Sequence, residues 1–242
     1  MQKIGFSAVL IACCVFFPFS LNALEWNLVN EEFNNDGDFG AFTTVEHTGA
    51  DRTAEVSGGA AVLKRVAAGG DIGPTIRAYF DDPNVNEFIL QAKIDAKNIS
   101  EDGHFDIAMR INGFEYFPAV ALNNIGDHES PEQYNTGIRT KEAKVSPLGM
   151  HEYLLVGKSA KAYDLYFDGN LIIEDGVTRA LSGQTWEIAQ AMIHVRKGTN
   201  AEIHVDSVRV KQGTDGLDEL LNASAVSSRS KLVSTWGKMK ER

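Results

Sequence analysis

The sequence predicts an all-β domain, an antiparallel two-sheet β-sandwich or barrel. Three observations carry this expectation. The dominant period after Leu24 is two, turn residues separate short apolar runs, and no long stretch of helical period lies between Leu24 and Gly213. Many short strands without interleaved helices leave only sheet-on-sheet packing to bury their apolar faces. No internal repeat is present.

The clearest strand is Phe88 to Ala96. Phe88, Leu90, Ala92, Ile94 and Ala96 share one face, while Gln91, Lys93 and Asp95 share the other. Phe105 to Ile111 repeats the pattern. Further strands are expected at Ala61 to Val66, Thr75 to Phe80, Phe117 to Leu122, Tyr134 to Arg139, His151 to Val156, Tyr163 to Phe167, Leu171 to Glu174, Ala191 to Arg196 and Glu202 to Val210. Gly58-Gly59, Gly69-Gly70, Asp82-Pro83, Asn112-Gly113, Asp168-Gly169 and Lys197-Gly198 punctuate them. In the last strand Ile203 and Val205 share one parity and Val208 and Val210 the other, so a bulge is expected near Asp206-Ser207.

The ends differ from this middle. One lysine, an apolar run from Ile4 to Leu21 and Ala23 make a secretory signal peptide over 1–23, which predicts a secreted, periplasmic or cell-surface protein without a transmembrane anchor after cleavage. Both cysteines, Cys13 and Cys14, lie inside it, so the mature chain has no thiol for a disulfide or a metal. Residues 24–213 form the expected domain, about 190 residues, enough for one good core. Residues 214–242 read as a short helix at Asp215 to Ala225 and a flexible tail holding Trp236.

The chain carries 23 basic and 33 acidic residues, a net charge of −10, and loss of Lys3 with the signal peptide leaves 22 against 33, or −11. Such a chain repels phosphate backbones, so nucleic acid is not an expected partner.

Three segments carry a resemblance. His151 to Gly157 followed by Tyr163 to Asp175 is similar to the late hairpin of concanavalin A-like, or laminin G-like, jelly rolls. Glu32 to Gly40 resembles the opening of secreted sandwich modules, and Ile203 to Val210 resembles their closing strand. The resemblance implies a jelly roll and, for activity, carbohydrate binding, glycan hydrolysis or lyase chemistry, or adhesion. It also implies a structural Ca²⁺ held by Glu32, Asp36 or Asp38, and Asp206, since such an ion takes several oxygen ligands. The alternative for Asn35-Asp36-Gly37 is a plain turn.

If Phe105, Ile107, Met109 and Ile111 face the core, His104, Asp106 and Arg110 face outward together, and His194 and Arg196 do the same on a second strand. Such a set can hydrogen-bond sugar hydroxyls or clamp the carboxylate of an acidic sugar. Tyr116, Phe114, Tyr134, Tyr153 and Trp186 are aromatic residues able to stack on a sugar ring; core packing is the competing role, expected for Tyr153 and Trp186, and Tyr116 and Tyr134 are kept as ligand contacts. The paired-acid strand pattern of glycosidases with this fold is missing, although Glu115 and Asp106 can face each other across a hairpin. A lyase needs a base and a cation for the uronate, roles open to His104 or His194 with Arg110 or Arg196. The expected function is therefore a secreted, non-catalytic glycan-binding module. The alternatives are a polysaccharide lyase or glycoside hydrolase using His104, Asp106, Arg110, His194 and Arg196, and an adhesion or assembly protein. Asp168 is read as a turn former.

Overall fold

The structure is a computed structural model and describes residues 24–67, 72–81, 86–101, 103–127, 141–181, 189–196 and 200–224. The expected strand Tyr134 to Arg139, the turns at Gly69-Gly70, Asp82-Pro83 and Lys197-Gly198, the signal peptide, Trp186 and the tail with Trp236 lie outside the described residues.

Two antiparallel sheets pack face to face, and the chain has the concanavalin A-like jelly-roll fold. The first sheet contains β1 (Val29–Glu31), β3 (Arg52–Ser57), β4 (Ala60–Arg65), β6 (Phe88–Asn98), β12 (Gly149–Ser159), β13 (Ala162–Phe167), β14 (Asn170–Val177) and β17 (Ala201–Gln212). Its order is β14-β13-β12-β6-β17-β4-β3, with β1 on β17. The second contains β2 (Thr44–Glu46), β5 (Ile72–Phe80), β7 (His104–Ile111), β8 (Phe114–Tyr116), β9 (Ala119–Ala121), β10 (Asn124–Gly126), β11 (Glu142–Ala143), β15 (Arg179–Ala180) and β16 (Ala189–Arg196). Its order is β11-β10-β9-β7-β16-β5-β2, with β8 on β7 and β15 on β8. A short helix, α1 (217–224), follows β17.

The period of two decides which side chains meet. Phe88, Leu90, Ala92 and Ile94 of β6 and Phe105, Ile107, Met109 and Ile111 of β7 are all buried in one core between the sheets. Each of these side chains except the small Ala92 contributes about 1.5–3 kcal/mol by leaving water. Two-residue turns with left-handed backbone at both positions reverse the chain at Gly58-Gly59, Asn112-Gly113 and Asp168-Gly169. On β17 the pairing with β6 slips between Val205 and Ser207, the expected bulge, and this returns Val208 and Val210 to the core.

The strand expected at Phe117 to Leu122 is shorter, Ala119–Ala121, because Pro118 gives no ladder donor. The additional strands β1, β2, β3, β8, β10, β11 and β15 are two to six residues long. Apart from β3, where Ala54 and Val56 alternate with Thr53 and Glu55, these runs are too short to show a period.

Candidate functional site

The outward face of the second sheet carries the site. β16 lies between β5 and β7, and its register fixes three rows of outward side chains. Thr75, His194 and Asp106 form one row, Arg77, Met192 and Ala108 the next, and Tyr79, Gln190 and Arg110 the third. Arg196 stands opposite His104. The five polar residues expected to share a face therefore do so on adjacent strands. Together with Glu46, Glu115, Phe117 and Arg179 the face encloses a hollow of about 630 Å³.

Asp106 is the buried centre of one end, with no exposed surface. His194 Nε2 lies 2.7 Å from its Oδ2, His104 Nε2 lies 3.6 Å from Oδ1, and Arg196 Nη1 lies 3.6 Å from Oδ2. Burial opposes ionisation most strongly of any single influence. His104, His194 and Arg196 together outweigh it and hold the carboxyl well below the usual carboxylate range.

Glu115 is the centre of the other end. It stands opposite Arg110 on the β7–β8 hairpin and opposite Arg179 across β15. Arg110 donates from Nε and Nη2 to Oε1, both at 2.7 Å, and Arg179 Nη2 donates to Oε2. The Arg179 guanidinium sits 5.0 Å above the Phe117 ring, a cation–π contact. Between the two ends Ala108, Met192 and Phe117 pack into an apolar patch, flanked by Arg77, whose Nη2 pairs with Glu46 at 2.9 Å.

Glu115 and Asp106 do share the face, yet each is held by its own cations. A glycosidase acid must carry a proton near neutral pH. Asp106 is kept anionic instead, and Glu115 is bound by two guanidinium groups. The His194–Asp106 contact has a different capacity: it orients an imidazole beside Arg196.

Tyr116 does not reach this face. Because Arg110 pairs with Glu115 outward, Met109 pairs with Tyr116 inward. Its ring is fully buried, edge-on to Phe88 at 4.9 Å, and its hydroxyl donates to Ser159 O at 2.8 Å and accepts from Asn86 at 2.9 Å. The expectation of a ligand contact at Tyr116 is corrected to a core role. Tyr134 lies outside the described residues. Tyr153 is buried, as expected. The exposed aromatic on the face is Tyr79, 40% exposed and opposite Gln190. Its parity with Thr75 and Arg77 makes it readable from sequence. Arg179 and Phe117 were not expected at the site: Arg179 stands in a two-residue strand, and Phe117 lies between β8 and β9.

The acids expected to hold calcium, Glu32, Asp36 or Asp38, and Asp206, do not come together. Among the described residues no three His, Cys, Asp or Glu side chains converge as a metal site. Asp36 Oδ1 accepts from Gly58 N at 2.9 Å and Asp38 Oδ1 accepts from Gly40 N at 2.8 Å, so both are consumed by turns. Glu32 pairs with Arg209, and Asp206 lines a hollow with Glu32 that also holds Lys93 and Arg209. The N-terminal loop is braced by Glu31 instead, which accepts from Glu32 N, Phe33 N and Ala41 N at 3.1, 2.9 and 2.8 Å. Gly40 is required there: a Cβ would fall 1.8 Å from the Glu31 carboxylate, and its φ is +56°.

A second hollow, about 520 Å³, separates the outer face of the first sheet from α1 and is lined by Trp26, Lys93, His151, Glu152, Asp168 and Arg209 among others. Two of its acids, Asp168 and Glu152, are satisfied internally. Asp168 accepts from Glu152 N at 3.0 Å and contacts His151 Nδ1 at 2.7 Å, and Glu152 accepts from Gln91 and Ser224. Asp168 holds φ +48° at its turn, consistent with a role in the bend.

Among the described residues no helix is long and apolar enough to cross a membrane. No family model matches the sequence. No curated protein matches it either. Solved structures match the fold. The endo-β-1,3-glucanase from Pyrococcus furiosus aligns with a TM-score of 0.51 and 12% identity, over 76% of this chain and 94% of that one. The CBM2 module of the Lactobacillus casei BL23 phage J-1 evolved Dit aligns with a TM-score of 0.49 and 12% identity, over 75% and 93%. The first of these likenesses agrees with a concanavalin A-like jelly roll.

Proposed function

We propose that the protein is an exported carbohydrate-binding module whose ligand lies in the hollow on the second sheet. The observation that carries this reading is the assembly of Arg77, Arg110, Arg179, His194 and Arg196 around an apolar floor, with His104 and Asp106 packed against His194 and Arg196 at one end. Sugar ligands need this combination, fixed donors for hydroxyl and carboxylate oxygens beside apolar surface for ring C–H faces. The name of the Pyrococcus protein of the same fold, an endo-β-1,3-glucanase, agrees with carbohydrate as the ligand class. Binding without hydrolysis is favoured because Asp106 is held anionic and Glu115 is bound by two arginines. The apolar run from Ile4 to Leu21 supports export.

A second reading rests on the 2.7 Å His194–Asp106 contact beside Arg196. In a uronate lyase a base removes the proton beside the carboxylate while a cation neutralises that carboxylate, so His194 and Arg196 are the residues for those two roles. A glycan array with the mature protein tests binding, followed by an activity screen on each polysaccharide captured. Failure to bind any glycan overturns the first reading. Cleavage that produces unsaturated ends and disappears in His194→Ala establishes the second.

A further inference from the structure

Building on the carbohydrate reading of the cleft, we infer that its ligand is a polyanionic glycan that bridges two separate seats. Asp106 and Arg110 are four residues apart on β7, and His194 and Gln190 are four apart on β16, a separation of about 13 Å at about 3.3 Å per residue. The Arg110 end holds two guanidinium groups, Arg110 and Arg179, against one carboxylate, Glu115, and so keeps a net positive charge. The Arg196 end balances one guanidinium against Asp106 and adds the imidazoles of His104 and His194. Ala108, Met192 and Phe117, each 4% exposed or less, form the apolar floor of the interval.

Both the charge and the spacing discriminate. The lining has four arginines (77, 110, 179, 196) against two carboxylates (Glu46, Glu115), with Asp106 fully buried behind it, in a chain whose net charge is −10. A cleft of opposite sign to its surroundings selects an anionic ligand that has enough local contact to offset the repulsion of the rest of the surface. A single acidic sugar reaches one seat only. A chain long enough to place one anionic group at each end makes its second contact intramolecularly, without a second loss of translational freedom. The apolar interval takes the ring face between them.

Calorimetric titration of the full-length protein with two ladders, oligogalacturonates and chondroitin sulfate oligosaccharides, each from the shortest unit to six or more sugars, tests this. A neutral cello-oligosaccharide ladder serves as the control, and the two acidic ladders separate carboxylate from sulfate as the anion. Affinity is expected to rise at least about tenfold over the step at which a chain first spans both seats, and Arg110→Gln or Arg196→Gln is expected to remove that step. The wild-type ladder decides the matter even if a variant folds poorly. Equal affinity for the shortest and longest acidic chains overturns the two-seat inference and leaves the carbohydrate reading intact. Binding of the neutral ladder alone overturns the charge assignment. Binding of none of them overturns the inference and counts against the carbohydrate reading, which the wider glycan array then settles.

Discussion

His194 Nε2 stands 2.7 Å from Asp106 Oδ2, directly across the β16–β7 ladder, with the carboxylate fully buried beneath it. The contact ties two neighbouring strands together on the outward side while Ile193 and Ile107 tie them on the core side. It is both a structural pin and one end of the proposed binding surface. Its removal thus has consequences for stability and for ligand.

Asp106→Ala leaves Arg196 and two imidazoles beside an uncompensated cavity. Breaking a buried charge pair from one side costs about 3–5 kcal/mol. Urea unfolding should show a loss of that order, and a loss below about 1 kcal/mol would contradict the central role given to this carboxylate.

The same group sets an acid limit. Its folded pKa lies below that of the unfolded chain, so the unfolded state takes up the proton first as pH falls. The stabilisation is fully present above the ordinary aspartate range near about 4 and is lost as pH drops through the lower folded value. The stability gap between wild type and Asp106→Ala should therefore shrink steadily below about pH 4, and a gap independent of pH there would refute the assignment.

Alkali acts through the core tyrosines. Burial raises Tyr116 to about 12, against a weaker opposing pull from Asn86, and burial also raises Tyr153. The unfolded chain ionises near about 10, so the contribution of Tyr116 is intact below that pH and is lost as pH rises toward about 12. Tyrosinate absorbance and loss of circular dichroism should rise together across that interval. A tyrosinate step for every tyrosine without unfolding would count against their burial.

Glu31 braces the N-terminal loop. Glu31→Ala removes an ionised acceptor from three backbone N–H groups and should cost about 1–3 kcal/mol. A chelator should leave the midpoint of thermal unfolding unchanged. A fall of several degrees on chelation would restore the calcium expectation.

Much of this was legible in the residues, for a definite reason. Where a strand is long and one face is buried, parity alone assigns both faces, and β7 and β16 meet that condition. His104, Asp106, Arg110, His194 and Arg196 followed from it, as did the bulge at Asp206-Ser207. Strand adjacency did not follow, because pairing partners are set by tertiary topology and not by local period. Tyr116 was misplaced because its position after the Asn112-Gly113 turn looked like a rim. The two-residue turn in fact puts Glu115 outward opposite Arg110 and Tyr116 inward opposite Met109. Arg179 completes the Glu115 cluster from a two-residue strand that carries no pattern. The acidic loop looked like a calcium site since Asp and Gly serve turns and cations alike.

The most direct measurement compares one glycan, selected on the array, by calorimetric titration against wild type, Arg196→Gln in the cleft of the second sheet, and Lys93→Ala in the hollow beneath α1. The account predicts that Arg196→Gln weakens binding about tenfold or more and that Lys93→Ala leaves it unchanged. The reverse pattern, with Lys93→Ala abolishing binding and Arg196→Gln harmless, would contradict the placement of the site.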